Sequence, residues 1–350
     1  SAGTGGRDLA RRRVPGGRKP TLGAGIPSRR NETETHPSAP RESPVADLKT
    51  TCETVVFCSS AGHCQLDCDY CIIHPVVKRE PSLVYEDLRF FLDEVGTRTF
   101  FIFSGKGDFF AGYPKRDRFL DRLLDHDVEV ALDVNGVLLN EYPELSEEKL
   151  AKVRAINLTL HYKQVRYKRV EKAWETNART ILEKHRGELI LGTIFSPLLS
   201  DLWDEGLAYY RDTVFAATGR KVWAIRDCDR PFDPAQEELF ASLLERYAGI
   251  VEKEHKDDFS APFAGKEAVL CPAGRDYFRI WNDGRVQGCP WIPGLADLGN
   301  VKERRLARRA APFRCTTPRF CDCYDIHQLG KMGYEDATPA LPVLSSGAAR

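Results

Sequence analysis

Short apolar runs alternate with amphipathic stretches from Thr51 onward. Thr54-Val55-Val56-Phe57-Cys58 predicts a strand, and Val84, Leu88, Phe91, Leu92 and Val95 recur at helical spacing behind Pro81-Ser82. A strand over 99–103 ends in a Gly-rich loop, followed by a helix over 116–125 and a strand over 128–132. A helix over 145–153, a strand over 156–160, a helix over 170–186 and a strand over 189–194 follow. A further helix precedes a strand over 221–225. Strands that alternate with helices in this way predict parallel pairing through right-handed crossovers, in a barrel or an open sheet. Either arrangement gathers ligands at the carboxyl ends of the strands.

The flanks behave differently. Residues 1–48 are rich in Gly, Pro, Ser and Arg and bury too little apolar surface to offset their ordering entropy. A disordered basic tail is expected there, and Arg11-Arg12-Arg13 reads as part of a solvated segment. Residues 49–235 carry the strand–helix unit. Residues 236–264 form a connecting helix, with Leu239, Leu243, Leu244, Tyr247 and Ile250 on one face, and the polar run Lys253–Asp258 marks a boundary. Residues 265–330 hold five cysteines and too few apolar groups for a core of their own, so a metal staple is expected. Residues 331–350 form a loose tail.

Composition narrows the function. Of 350 residues 42% are hydrophobic, enough for a sizeable core, and the formal net charge is 0. That balance argues against a whole-protein attraction to nucleic acid or anionic lipid. No apolar stretch approaches the ~18 residues of a membrane span, and no secretory signal is seen. A soluble, cytoplasmic protein is expected. Eleven cysteines in a reducing compartment point to metal or redox chemistry rather than disulfides.

Three of them lie in His63-Cys64-Gln65-Leu66-Asp67-Cys68-Asp69-Tyr70-Cys71, directly after the first strand. Three thiolates on one short loop can wrap three corners of a [4Fe–4S] cluster. No fourth cysteine follows at short range, so the remaining iron would keep an exchangeable position, the mark of a chemical rather than a structural site. A zinc knuckle is the alternative, with His63 or His74 as a further ligand. The Cys-x3-Cys-x2-Cys spacing resembles the signature of the radical S-adenosylmethionine (SAM) superfamily. The resemblance implies a partial (β/α)6 barrel with this loop after its first strand. It also implies a cluster that chelates SAM and splits it to a 5′-deoxyadenosyl radical, with electrons from a flavodoxin- or ferredoxin-type donor. Tyr70 holds the position that is usually aromatic in the family and lies near adenine.

Other strand ends resemble the same family. Ser104-Gly105-Lys106-Gly107-Asp108 is similar to its Gly-Gly-Glu-Pro loop, which binds the SAM amino group; Asp108 replaces Glu, Phe109 replaces Pro, and Lys106 stands among the glycines. Asp133-Val134-Asn135-Gly136 is similar to its Thr-Asn-Gly motif, and Thr159 and His161 fall where the family places polar groups near the cofactor. Gly192-Thr193-Ile194 is similar to a motif that packs beside adenine. Each of these could equally be a strand-end cap or turn.

The second cysteine group is Cys271, Cys289, Cys315, Cys321 and Cys323, around a hairpin at Ile280–Val286 with an Asp283-Gly284 turn. With Leu298-Gly299-Asn300-Val301, it resembles the SPASM/twitch extension of radical SAM enzymes. Five cysteines suit one auxiliary [4Fe–4S] cluster rather than two; zinc is the alternative. The resemblance implies an enzyme acting on a small polar substrate of sugar, aminocyclitol or nucleoside type. Dehydrogenation, epimerisation or decarboxylation in natural-product (antibiotic) tailoring is the expected outcome, without nucleic-acid or membrane partners. Cys228, after the strand over 221–225, is a candidate hydrogen-atom donor, with Arg226, Asp227 and Asp229 as substrate contacts; an ordinary buried or surface cysteine is the alternative. Maturation of a ribosomal peptide and a non-catalytic zinc-stapled binding protein are the competing readings.

Overall fold

Each apolar run singled out above forms a strand in the computed structural model, which describes residues 51–59, 63–71, 82–105, 107–227, 230–255, 269–289, 292 and 294–315. The strands are β1 (Thr54–Ser59), β2 (Thr99–Ser104), β3 (Val128–Val134), β4 (Val153–Leu160), β5 (Glu188–Phe195), β6 (Val222–Arg226) and β7 (Val251–His255). The helices between and after them are α1 (Tyr85–Val95), α2 (Phe109–Gly112), α3 (Phe119–Leu123), α4 (Glu147–Lys152), α5 (Tyr162–Tyr167), α6 (Glu171–Lys184), α7 (Trp203–Tyr210), α8 (Ala216–Thr218) and α9 (Pro234–Arg246). Strands β1 to β7 pair in chain order, all parallel. The chain is therefore a mixed α/β fold built on a large parallel sheet.

Local chemistry sets the element ends. Asp233 caps α9: its carboxylate accepts from Gln236 N at 2.8 Å, and Gln236 Oε1 accepts from Asp233 N at 3.1 Å, with Pro234 opening the first turn. Gly96 closes α1 in the left-handed conformation, φ +62°. The polar run from Lys253, expected to mark a boundary, begins inside β7, a seventh parallel strand. Among the described residues β7 stands at one end of the sheet order, beside β6.

The strands of the C-terminal segment are β8 (Val269–Cys271), β9 (Tyr277–Ile280), β10 (Arg285–Gln287), β11 (Gly299–Asn300), β12 (Arg305–Leu306) and β13 (Phe313–Cys315). The expected hairpin forms: β9 and β10 pair antiparallel, Val286 opposite Ile280, with Gly284 at φ +87° in the turn. Beyond that expectation, β9 also pairs parallel with β1, Val56 opposite Phe278. The hairpin thus extends the main sheet, in the order β12-β11-β10-β9-β1-β2-β3-β4-β5-β6-β7. Tyr277, Phe278, Ile280, Val286 and Val301 join the same core as β1 and α1; Phe278 meets Phe91 edge-on at 5.2 Å. Burial in this shared core supplies the apolar contact that the segment alone lacks.

Alternation along the strands separates two faces. Phe101 packs on Phe91 of α1, and Phe103 meets Phe109, Tyr113 and Phe119. On the opposite face lie Phe57, Ile102, Ser104, Ala131, Asp133, Asn157 and Thr159, each less buried than its strand neighbours.

Candidate functional site

The first cysteine group lies at the carboxyl end of β1, and the loops after β2, β3, β4 and β6 each hold it by a defined bond. From the β2 loop, Asp108 N donates to His63 O at 2.7 Å. From the β3 loop, Asn135 Oδ1 accepts from Gln65 Nε2 at 2.7 Å, and Asn135 Nδ2 donates to Cys64 Sγ at 3.4 Å. At the end of β4, His161 Nδ1 lies 2.7 Å from the Tyr70 hydroxyl, with the two rings stacked at 5.8 Å. In α5, Lys163 pairs with Asp69. Beyond β6, Arg230 donates to Tyr70 O at 3.2 Å and to Asp227 Oδ2 at 3.0 Å.

Glycine makes the close approach of the β2 loop feasible. Gly107 has φ +87°, and a Cβ there would lie 2.3 Å from the His63 carbonyl oxygen. Asp108 is fully enclosed. Its Oδ2 accepts from Asn135 N at 2.7 Å and its Oδ1 from Ala111 N at 3.0 Å. Burial pushes its carboxyl up to about 6 against those bonds. In this structure Asp108 organises two loops around the cysteines, a role that its sequence position, opposite a family glutamate, did not indicate.

The thiols form an electrostatic group. Burial pushes Cys64 up to about 11 and Cys68 up to about 12, and charge on Cys71 raises both further. Hydrogen bonds from Asn135 to Cys64 and from Tyr70 to Cys68 act in the opposite direction. Tyr70 itself is raised well above the ordinary phenol range by burial and by the thiols. Burial lowers His161 to about 4, so its ring is neutral near pH 7. Such thiols ionise when a bound metal supplies the positive charge that the protein withholds. Among the described residues no three His, Cys, Asp or Glu side chains converge on one metal-ion position. Three thiols on one short loop are soft donors of the kind that iron–sulfur clusters and zinc both take, so the donor set fits a cluster.

Two further features border the loop. A cleft lined by Tyr70, Tyr162, Thr193, Ile194, Phe195 and Trp203 opens beside it, at the end of β5. On the less buried sheet face, Ser104 Oγ donates to Asp133, Asn157 also bonds Asp133, and burial raises the Asp133 carboxyl. Asn157 Oδ1 is buried with no partner among the described residues. Thr159, Gly192 and Ile194 continue this face, and Gly192 adds no side chain opposite Thr159. Of the residues predicted from sequence, Cys64, Cys68, Cys71, Tyr70, Asn135, Asp108, Gly107 and His161 are thus brought together. Ser104 faces Asp133, Gly105 lies against Phe57, and Thr159 lies further along β4. Lys106 and Cys228 lie outside the described residues. The linking residues Gln65, Lys163 and Arg230 carry no motif and were not legible in sequence.

In the second group, Cys271 and Cys315 sit on the paired strands β8 and β13, Phe313 opposite Cys271. Cys289 follows β10, and all three are buried. Cys321 and Cys323 lie outside the described residues, as do the tails 1–48 and 331–350.

No family model and no curated protein matches the chain. Among solved structures it is similar to one described as a histidine-tagged anSMEcpe with bound AdoMet. Identity is 14%, the match covers 79% of this chain and 78% of that chain, and the TM-score is 0.42. It is also similar to SeMet BtrN in an open conformation, at 11% identity, covering 79% of this chain and 83% of that chain, with a TM-score of 0.35. At these scores neither likeness says what this chain does. No helix among the described residues is long and apolar enough to cross a membrane.

Proposed function

We propose that this chain is a radical SAM enzyme acting on a small polar substrate. The observation that carries the reading is the three-cysteine loop at the end of β1, bonded to loops from four further strand ends. Cys64, Cys68 and Cys71 would hold a [4Fe–4S] cluster with one iron open. When bound, that cluster would chelate SAM and supply the electron that splits it to a 5′-deoxyadenosyl radical.

The chain's own residues divide the remaining work. The glycine-lined β2 loop brings bare backbone close to the cysteine loop, where a polar head group can be bound. The cleft beside Tyr70, walled by Ile194, Phe195 and Trp203, has a volume of about 20 Å³, room for a water rather than for a base. Asp133 and Asn157 Oδ1 are enclosed acceptors on the less buried sheet face, Asn157 Oδ1 with no partner among the described residues; a substrate with hydroxyl or amine donors, such as a sugar, aminocyclitol or nucleoside, would supply one. Cys228 is proposed as a hydrogen-atom donor should the outcome be an epimerisation. Cys271, Cys289, Cys315, Cys321 and Cys323 are proposed to hold an auxiliary cluster, an electron acceptor should the outcome be a dehydrogenation.

Anaerobic reconstitution with iron and sulfide tests this. A brown protein with about four irons per cluster, about eight for two, that forms 5′-deoxyadenosine from SAM and dithionite is expected. Cys64→Ala, Cys68→Ala and Cys71→Ala should each abolish that product. A colourless protein that takes up zinc alone would refute the proposal and favour a metal-stapled binding module.

A further inference from the structure

We propose that Asn135 is a positioning residue that sets the reduction potential of the cluster through its amide N–H bond to Cys64. The inference rests on the cluster reading above and goes beyond it, since nothing in that reading assigns a side chain to the sulfur ligands.

The orientation of this amide is fixed by its neighbours. Asn135 is buried at 5% exposure, and its backbone N donates to Asp108 Oδ2 at 2.7 Å. Its Oδ1 accepts from Val137 N at 3.0 Å, a backbone donor that cannot change role, and from Gln65 Nε2 at 2.7 Å. The turn that brings Val137 N back to the side chain passes through Gly136 at φ +77°. With Oδ1 held by an N–H that can only donate, the NH2 group must face Cys64 Sγ, 3.4 Å away. Rotating the amide by a half turn would set NH2 against N–H and break both bonds to Oδ1.

A metal-bound thiolate has no S–H and can only accept. An N–H aimed at it withdraws charge from sulfur and favours the reduced cluster, which carries one more negative charge. The donor therefore raises the potential. This matters where an electron must enter a cluster that three thiolates already make electron-rich. A purely structural role predicts the opposite sign: loosening the loop admits water, which also stabilises the more highly charged reduced state and would raise the potential.

The test is a redox titration of the reconstituted full chain, followed by the electron paramagnetic resonance signal of the reduced cluster. Asn135→Ser keeps an oxygen near Val137 N but is too short to reach Cys64; Asn135→Leu fills the space without a donor. We expect both to bind iron and both to titrate lower. At a fixed solution potential, the ratio of reduced to oxidised cluster should fall about tenfold, ~59 mV for a one-electron couple. An unchanged or raised potential in both variants would overturn the inference. So would loss of iron from both, which would make the loop bonds of Asn135, rather than its bond to sulfur, its function. A parent protein that binds no cluster would instead refute the proposed function, and the two failures are distinguishable.

Discussion

Glu141 shows how one buried carboxylate shapes the stability of the fold. Its Oε1 accepts from Leu120 N at 2.7 Å, while Oε2 is buried with no partner among the described residues. Burial raises its carboxyl to about 7, so the charged form is the one the fold disfavours. The folded pKa lies above the unfolded one, so the native state binds more protons between them, and stability falls as pH rises through about 4.5 to 7. Glu141→Gln keeps the acceptor for Leu120 and removes the charge. It should melt like the parent below that window and be more stable above it. The side chain lines a cleft shared with Lys115 and Arg118, from which solvent can screen the charge, so a gain of about 1 kcal/mol is expected rather than the full shift. Thermal melts at pH 4 and pH 8 would check the sign; a loss at pH 8 would show that the carboxylate is needed as an ion.

At the scale of elements, two glycines with similar backbone angles should respond differently. Gly96 ends α1 at φ +62° with open space where a Cβ would go, so Gly96→Ala should cost about 1 kcal/mol of strain and leave the cysteine loop unaffected. Gly107 adds to its φ of +87° a contact of 2.3 Å with a backbone oxygen, which has no rotamer by which to yield. Gly107→Ala should push His63 and Cys64 away from Asp108 and sharply reduce iron uptake; equal iron in both variants would refute this account of the loop. Arg230 acts at the same scale, joining the cysteine loop to the segment after β6. Arg230→Ala should lower the melting temperature, because it takes this partner from the Asp227 carboxylate, whose side chain is only 3% exposed, and should weaken the proposed SAM binding severalfold by releasing the Tyr70 backbone. Calorimetric titration of the reconstituted protein would measure it.

At the scale of the molecule, the C-terminal hairpin and the parallel sheet are one cooperative structure. Phe278 is fully buried between β1 and α1, so Phe278→Ala should cost about 3–5 kcal/mol and lower one shared transition. Two separate transitions in a melt would show instead that the hairpin folds independently. Phe57 and Arg279 are register partners on β1 and β9, with the guanidinium 5.5 Å from the ring centroid, so the C-terminal segment also reaches the open sheet face.

Local pattern determined the six strands from β1 to β6, most of the helices between them and the Asp283-Gly284 hairpin, because period and turn chemistry act over a few residues. It also exposed Cys64, Cys68 and Cys71, since one short loop carries all three. Tertiary structure alone decided that β9 pairs with β1 and that β7 pairs with β6, since edge pairing depends on which strand finds a vacant partner rather than on its own composition. It likewise decided that Asn135 faces a sulfur and Asp108 two backbone donors, and that Gln65, Lys163 and Arg230 hold the loop. Those contacts join residues as far as 160 positions apart, and a hydrogen bond across such a separation is specified by the packing of the whole sheet, which no local window of sequence contains.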